Sequence, residues 1–198
     1  VQNKIDFRRL DRELKGVKSA KTTGAFYFLP SLILAHHANT VIEIGIEYGY
    51  TTALISGTLA QLFPKSVMLS VDKSPRGLSC GTKILAEHPT VNSMVLRETS
   101  GDVDYGARLR ELGTRSAGLI YIDGDHSREG VLADIDATLP VLARDGLFVF
   151  HDYIKRDGFG VADAIYERFG DCAEWNIYIM RVPEGMPFAI VQRHMEPV

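Results

Sequence analysis

Val41-Ile42-Glu43-Ile44-Gly45-Ile46-Glu47-Tyr48-Gly49-Tyr50-Thr51-Thr52 is the stretch whose reading decides the fold. A short apolar run broken by one acid leads into two glycines and then into residues that read as the first turn of a helix. A strand buried on both faces reads as a nearly continuous apolar run, because neither face meets water. A turn that brings backbone against a ligand needs residues without a Cβ, and Gly45 and Gly49 supply them. Glu47 stands where a Gly-x-Gly-x-x-Gly fingerprint would carry its middle glycine, which disfavours a dinucleotide. Glu43, at the end of the strand, suits a ligand that presents an ammonium to this turn instead of a pyrophosphate.

Outward from this stretch, short β-rich runs alternate with helical segments, the pattern of crossover units that build a parallel sheet. Strands are expected at 41 to 45, 66 to 71, 91 to 96, 117 to 123 and 146 to 151, and helices near 50 to 62, 78 to 87, 103 to 112, 128 to 139 and 160 to 168. Ahead of them, Ile5 to Val17 mixes apolar and charged residues at helical spacing, and Pro30 opens a second helix running towards His37. Behind them, Glu174 to Arg181 and Pro187 to Arg193 are β-prone runs joined by Val182-Pro183-Glu184-Gly185-Met186, a turn composition that suits an antiparallel hairpin. With 198 residues, 45% of them apolar, the chain can build one full core. A single domain over 1–198 is expected, residues 1–40 forming a helical cap and 41–198 the α/β core.

The net charge of −3 and pI near 6.1 give no basic field for a polyanion, and nucleic acid is not an expected partner. Apolar runs fall short of the roughly 18 to 20 residues that a membrane helix needs, and no charged-then-apolar leader opens the chain. A cytoplasmic protein with no membrane partner follows as the expectation. Cys80 and Cys172 form no Cys-x-x-Cys pair, so they read as ordinary buried thiols.

Ligands of open parallel sheets sit beyond the carboxyl ends of the strands, where the strand order reverses. Glu43 closes the first strand, and the ammonium it suits points to S-adenosylmethionine (SAM). Asp72 closes the second strand, where it can accept both ribose hydroxyls or, as a favoured turn residue, merely cap the turn before Pro75. Thr99-Ser100-Gly101-Asp102 follows the third strand and can lie beside an adenine ring or cap the next helix.

Tyr121-Ile122-Asp123-Gly124-Asp125-His126-Ser127 ends the fourth strand and Phe148-Val149-Phe150-His151-Asp152-Tyr153 the fifth. Asp123, His151 and Asp152 are hard or borderline ligands that can hold one divalent ion. His126 and Asp125 are the candidate bases, since a metal-bound hydroxyl gives up its proton readily to a nearby acceptor. His36, His37, His88 and His194 have no such company and read as surface or packing residues. Phe26, Tyr27, Phe28 and Trp175 read as core or helix-packing residues, with a place at the substrate mouth the alternative for the first three, and Asp134-Ile135-Asp136 reads as a solvated helix face.

Two anchors then give a resemblance. Glu43-Ile44-Gly45-Ile46-Glu47-Tyr48-Gly49-Tyr50-Thr51, and Asp123-Gly124-Asp125-His126 with His151-Asp152-Tyr153, resemble class I SAM-dependent methyltransferases. Within that class they are similar to the small metal-dependent O-methyltransferases of the catechol and caffeoyl-CoA type and their bacterial antibiotic-tailoring and sugar relatives. The likeness covers roughly residues 30 to 195. It implies a Rossmann-like doubly wound sheet, mostly parallel, with a C-terminal antiparallel hairpin and an N-terminal helical cap. It implies that Glu43, Gly45, Gly49 and Thr51 frame the methionine and ribose, that Asp72 holds the ribose hydroxyls, and that Ser100, Asp102 and Asp123 also border the cofactor. Asp123, His151 and Asp152 fall on the metal positions, although the catechol type carries Asp-Asn where this chain has His151-Asp152. An imidazole ligand favours manganese or another transition metal over magnesium. His126 falls where catechol-type enzymes carry a lysine base, and Asp125 where the sugar branch has its proposed base; neutral imidazole makes His126 the preferred one.

The expected function is O-methylation of a hydroxyl on a small molecule with SAM as cofactor and a divalent metal, magnesium or manganese, as assistant. A metal-dependent hydrolase and a non-catalytic SAM-binding module stand as alternatives. The early helices and the terminal hairpin could pair two copies into a homodimer.

Overall fold

A computed structural model of the chain describes residues 5–14, 23–154, 157–181 and 187–194. Five parallel strands, β1 (Thr40–Ile44), β2 (Ser66–Val71), β3 (Val91–Leu96), β4 (Ala117–Ile122) and β5 (Leu142–Phe150), alternate with helices. The crossovers are α3 (Tyr50–Leu62), α4 (Pro75–Ala86), α5 (Tyr105–Glu111) and α6 (Arg128–Thr138). The N-terminal cap is α1 (Phe7–Leu14) and α2 (Thr23–Ala35); after β5 come α7 (Val161–Ile165), a π-helical turn, and the hairpin strands β6 (Trp175–Met180) and β7 (Phe188–Arg193).

The sheet order is β3-β2-β1-β4-β5-β7-β6, with β7 antiparallel to both β5 and β6. Each central strand is apolar on both faces, and successive side chains enter opposite cores. Ile42, Ile44, Ile120, Ile122, Phe148 and Phe150 pack with α5, α6 and α7. Val41, Leu119, Tyr121, Leu147 and Val149 pack with α1 to α4. Each such buried side chain contributes roughly 1.5–3 kcal/mol relative to exposure, so this two-sided burial fixes strand register, since a one-residue slip would exchange the cores.

The expected strands and crossover helices are present, with three local differences. Pro30 lies inside α2 instead of opening it, and Leu29 and Ile33, fully buried on either side, tie that helix into the core shared with α3. α1 is described over Phe7–Leu14, and Lys15 to Val17 of the expected first helix lie outside the described residues. β5 begins at Leu142, ahead of the apolar run, and its pairing with β4 shifts between Ala117 and Leu119. The last helix is cut short at Ile165 by the π turn Tyr166–Gly170. The turn 182–186 is outside the described residues, as are the side chains of Phe26 and Tyr27. Phe28 is buried against Phe188, a core role as expected. Cys80 and Cys172 are free and only half-buried. No helix among the described residues is long and apolar enough to cross a membrane.

Candidate cofactor and metal site

A cavity of about 1100 Å³ opens at the carboxyl ends of β1 to β5, over the reversal of strand order between β1 and β4. Its floor is the turn from Gly45 to Thr51. Gly45 has φ 88°, and a Cβ there would lie 2.0 Å from the Asp123 carbonyl oxygen. The glycine thus lets the ends of β1 and β4 close on each other, sealed by the Asp123 N–H donating to the Ile44 carbonyl at 2.8 Å. Gly49, at φ 83°, starts α3 and leaves room for Ile84, but it does not line the cavity.

Asp72 staples this floor. Its Oδ2 accepts from the N–H groups of Ile46 (2.9 Å) and Glu47 (3.0 Å), and its Oδ1 from Ser74 (2.7 Å). Burial pushes the carboxyl up, but those backbone donors outweigh it and hold Asp72 below the usual range. Three of about four acceptor positions are used, and Asp72 lines the cavity. Of its two expected roles, the structure shows the one in the turn: Asp72 orders the segment before α4, while Ser74 caps the helix itself.

Glu43 lies beneath the floor. It is fully buried, faces α3, and does not line the cavity. Thr52 Oγ1 donates to it at 2.9 Å and Ser70 Oγ at 2.7 Å. Burial dominates these bonds and lifts its carboxyl to about 8.

Ser100, Gly101 and Asp102 form a 3-10 turn at the far wall, and all three line the cavity. The cap of α5 is Asp104, whose side chain accepts from the Ala107 N–H, so the Thr99 to Asp102 segment does not serve as that cap. Facing it, Asp134 of α6 is only 2% exposed and accepts a hydrogen bond from the Ser100 hydroxyl. Only Asp136 fits the expected solvated face. Asp134 shares the buried stripe of Val131, Ile135 and Thr138.

At the opposite wall, Asp123, His126 and Asp152 converge, with one ligand atom from each lying within 4.8 Å of the others. His126 Nε2 is 3.1 Å from Asp123 Oδ1 and 3.6 Å from Asp152 Oδ2. Neighbouring ligands around a cation at about 2.1 Å lie roughly 3 Å apart, so the three fit one divalent ion. Asp152 holds a left-handed φ of 55°, a conformation Asp tolerates better than most residues. His151 Nδ1 is 3.1 Å from Asp123 Oδ1 and 2.9 Å from Asp152 Oδ1, without hydrogen-bond alignment, and both ring nitrogens are sealed from solvent.

The charges here are tightly balanced. Burial raises Asp123, but His126 and His151 outweigh it and keep its carboxyl low. The hydrogen bond to Asp123 raises His126 against burial. Burial opposes the charged form of His151, yet the two carboxylates lift it to about 10. Asp125 sits exposed at the rim, held low by the Ser127 backbone and 3.8 Å from Lys73 Nζ. Phe159 stacks on the His126 ring at 5.1 Å, brought there by the Gly160 N–H donating to the His126 carbonyl at 2.7 Å.

Residues 42–153, which carry the floor and both walls, match a family model described as a methyltransferase domain. The chain belongs to that family. No curated protein matches it in sequence. Among solved structures, the methyltransferase fold here is similar to an O-methyltransferase from Bacillus cereus in complex with SAH, at 14% identity over 98% of this chain and 94% of that one, TM-score 0.68. It is similar in the same degree to TomG, an O-methyltransferase from Streptomyces achromogenes involved in tomaymycin synthesis, in complex with SAM: 14% identity, 98% and 92% coverage, TM-score 0.68. An rRNA methylase from Streptococcus thermophilus shares the fold too, at 14% identity, 89% and 100% coverage, TM-score 0.64.

Within this methyltransferase domain, Gly45, Thr51, Asp72, Ser100, Asp102, Asp123, Asp125, His126, His151 and Asp152 all border one cavity, whereas Glu43 and Gly49 support it from below. Sequence reading missed Asp134 and the Thr52 and Ser70 partners of Glu43. Asp134 carried a signal, an acid at a core position of a helical stripe. Ser70 carried a weaker one, a hydroxyl inside an apolar strand.

Proposed function

We propose that this methyltransferase transfers the methyl group of SAM to a hydroxyl oxygen of a small molecule, with a divalent cation held by Asp123, His126 and Asp152. The observation that carries this reading is the joining of two chemistries in one cavity. A backbone turn stapled by Asp72 forms its floor, and a cluster of two carboxylates and an imidazole forms its wall. SAM would lie over Gly45 and Thr51 with its ribose on Asp72 and its adenine towards Ser100 and Asp102. Its sulfonium would then point at the acceptor beside Asp123.

In the reaction the sulfur–methyl bond breaks as the oxygen–methyl bond forms, the electron pair returns to sulfur as a thioether, and the hydroxyl proton passes to a protein base. A bound divalent ion lowers the pKa of a nearby hydroxyl, so that a weak base suffices to take its proton. His126, whose side chain is 30% exposed, reaches the cavity, whereas the nitrogens of His151 are sealed. This favours His126 as ligand, His151 as the group packed behind both carboxylates, and Asp125 at the rim as proton acceptor. The remaining contribution is positioning of the two reactants in line. The net charge of −3 supports a small acceptor over RNA.

The test is formation of S-adenosylhomocysteine from SAM with a panel of hydroxylated acceptors, before and after chelation. The expected result is acceptor-dependent turnover that chelation abolishes and manganese or magnesium restores. Turnover untouched by chelation would overturn the metal assignment. Cofactor binding with no turnover on any acceptor would favour the non-catalytic module.

A further inference from the structure

Tyr121 carries a hydroxyl that its packing does not need. The ring is fully buried on β4, in the core it shares with Leu119, Val149 and α3, where a phenylalanine would fill the same space. A phenol buried among apolar groups costs stability unless its hydroxyl finds a partner. The partner here is Asp123, two residues on and therefore on the same face of the strand, and Tyr121 Oη donates to Asp123 Oδ2 at 3.3 Å. Thr51, from the floor of the cavity, hydrogen-bonds to the same phenol. That bond favours the ionised phenol, so Thr51 is the donor there and the single phenolic proton is left to Asp123.

The two oxygens of Asp123 are thereby divided. Oδ1 lies 3.1 Å from His126 Nε2 and 3.1 Å from His151 Nδ1, on the side where the trio converges, while Oδ2 turns inward to the phenol. The last torsion of an aspartate is broad, so the side chain alone does not set the plane of its carboxylate. A donor fixed at one oxygen does set it. Tyr121 is held in place, flanked in the sheet by Glu43 of β1 and Val149 of β5. It does not line the cavity, so it can act there only through Asp123.

The geometry points to Tyr121 as a positioning residue of the metal site: its hydroxyl holds Asp123 with one oxygen presented to the cation, and so presets the spacing of Asp123, His126 and Asp152. This rests on the metal reading above and adds to it a residue that lies outside the cavity. Tyr105 offers the contrast. It is equally buried, on the opposite face of the sheet, and its hydroxyl has no hydrogen-bond partner among the described residues.

The test is calorimetric titration of the chelator-treated protein with manganese, and separately with S-adenosylhomocysteine, for wild type, Tyr121→Phe and Tyr105→Phe. Tyr121→Phe is expected to bind manganese about ten- to a hundredfold more weakly, the usual effect of removing a group that orients a metal ligand, and to bind S-adenosylhomocysteine within about threefold of wild type. Tyr105→Phe is expected to match wild type for both. Manganese affinity of Tyr121→Phe within about threefold of wild type would overturn the inference alone, as would an equal loss in Tyr105→Phe. A parallel loss of both ligands in Tyr121→Phe would overturn it too, by showing that the hydroxyl supports the fold as a whole. No manganese binding by wild type would overturn the metal reading and this inference with it.

Discussion

Replacing Glu43 with glutamine is expected to make the protein more stable at alkaline pH and to change it little in mild acid. The Glu43 carboxyl is fully buried among Thr52, Ser70 and the α3 face, and burial lifts it from 4.5 to about 8. A folded-state pKa above the unfolded one means that the native state binds the proton more tightly. Stability is therefore undiminished below pH 4.5, falls as pH rises through the window, and levels off above about 8. At about 1.4 kcal/mol per pH unit, the full cost is roughly 5 kcal/mol, of which about 3 to 4 kcal/mol develops between about pH 5 and pH 8. Glutamine has the shape of the protonated acid and cannot ionise. Its carbonyl can accept from one hydroxyl, and its amide can donate to the other. Urea denaturation of both proteins across this pH range gives the difference directly, and titrations common to both, such as those of His126 and His151, cancel. The stability of Glu43→Gln relative to wild type should climb with pH by that amount. A difference constant with pH would refute the reasoning. A wild-type advantage that grows with pH would show instead that the carboxylate is charged and stabilised in the fold.

Gly45→Ala is expected to cost about 3 kcal/mol or more, because the new methyl meets the Asp123 carbonyl oxygen at 2.0 Å on a backbone already at φ 88°, and thermal denaturation measures the loss. Asp152→Asn removes one charge from the converging trio and should weaken manganese binding by about tenfold or more in a titration of the chelator-treated protein, with thermal stability retained. His126→Asn should weaken that binding more than His151→Asn does; the reverse order would place the metal on His151.

Much of the fold was legible in the sequence, because strands with two buried faces leave apolar runs of the right length. The alternation of Ile42 and Ile44 with Val41 is a direct record of two cores. The Pro30 reading failed because the burial of Leu29 and Ile33 holds α2 through the proline, a tertiary effect that local rules do not see. The insertion of β7 beside β5 was equally invisible, since a hairpin sequence fixes its own pairing but not which strand meets the sheet. Within the site, strand ends announced Asp72, Asp123 and Asp152. The depth of Glu43 did not show, because a face-alternating strand hides which face a polar residue takes until α3 covers it. Asp134 was misread because Asp134 and Asp136 look alike in sequence, and only the stripe through Val131, Ile135 and Thr138 separates them.

Titration of the purified protein with S-adenosylhomocysteine, beside Asp72→Ala, tests the central claim most directly. Saturable binding by wild type, weakened at least about tenfold by the loss of a group that orders the floor and, in the proposed site, accepts from ribose, is the expected result. No saturable binding by wild type, with or without manganese, would contradict the account.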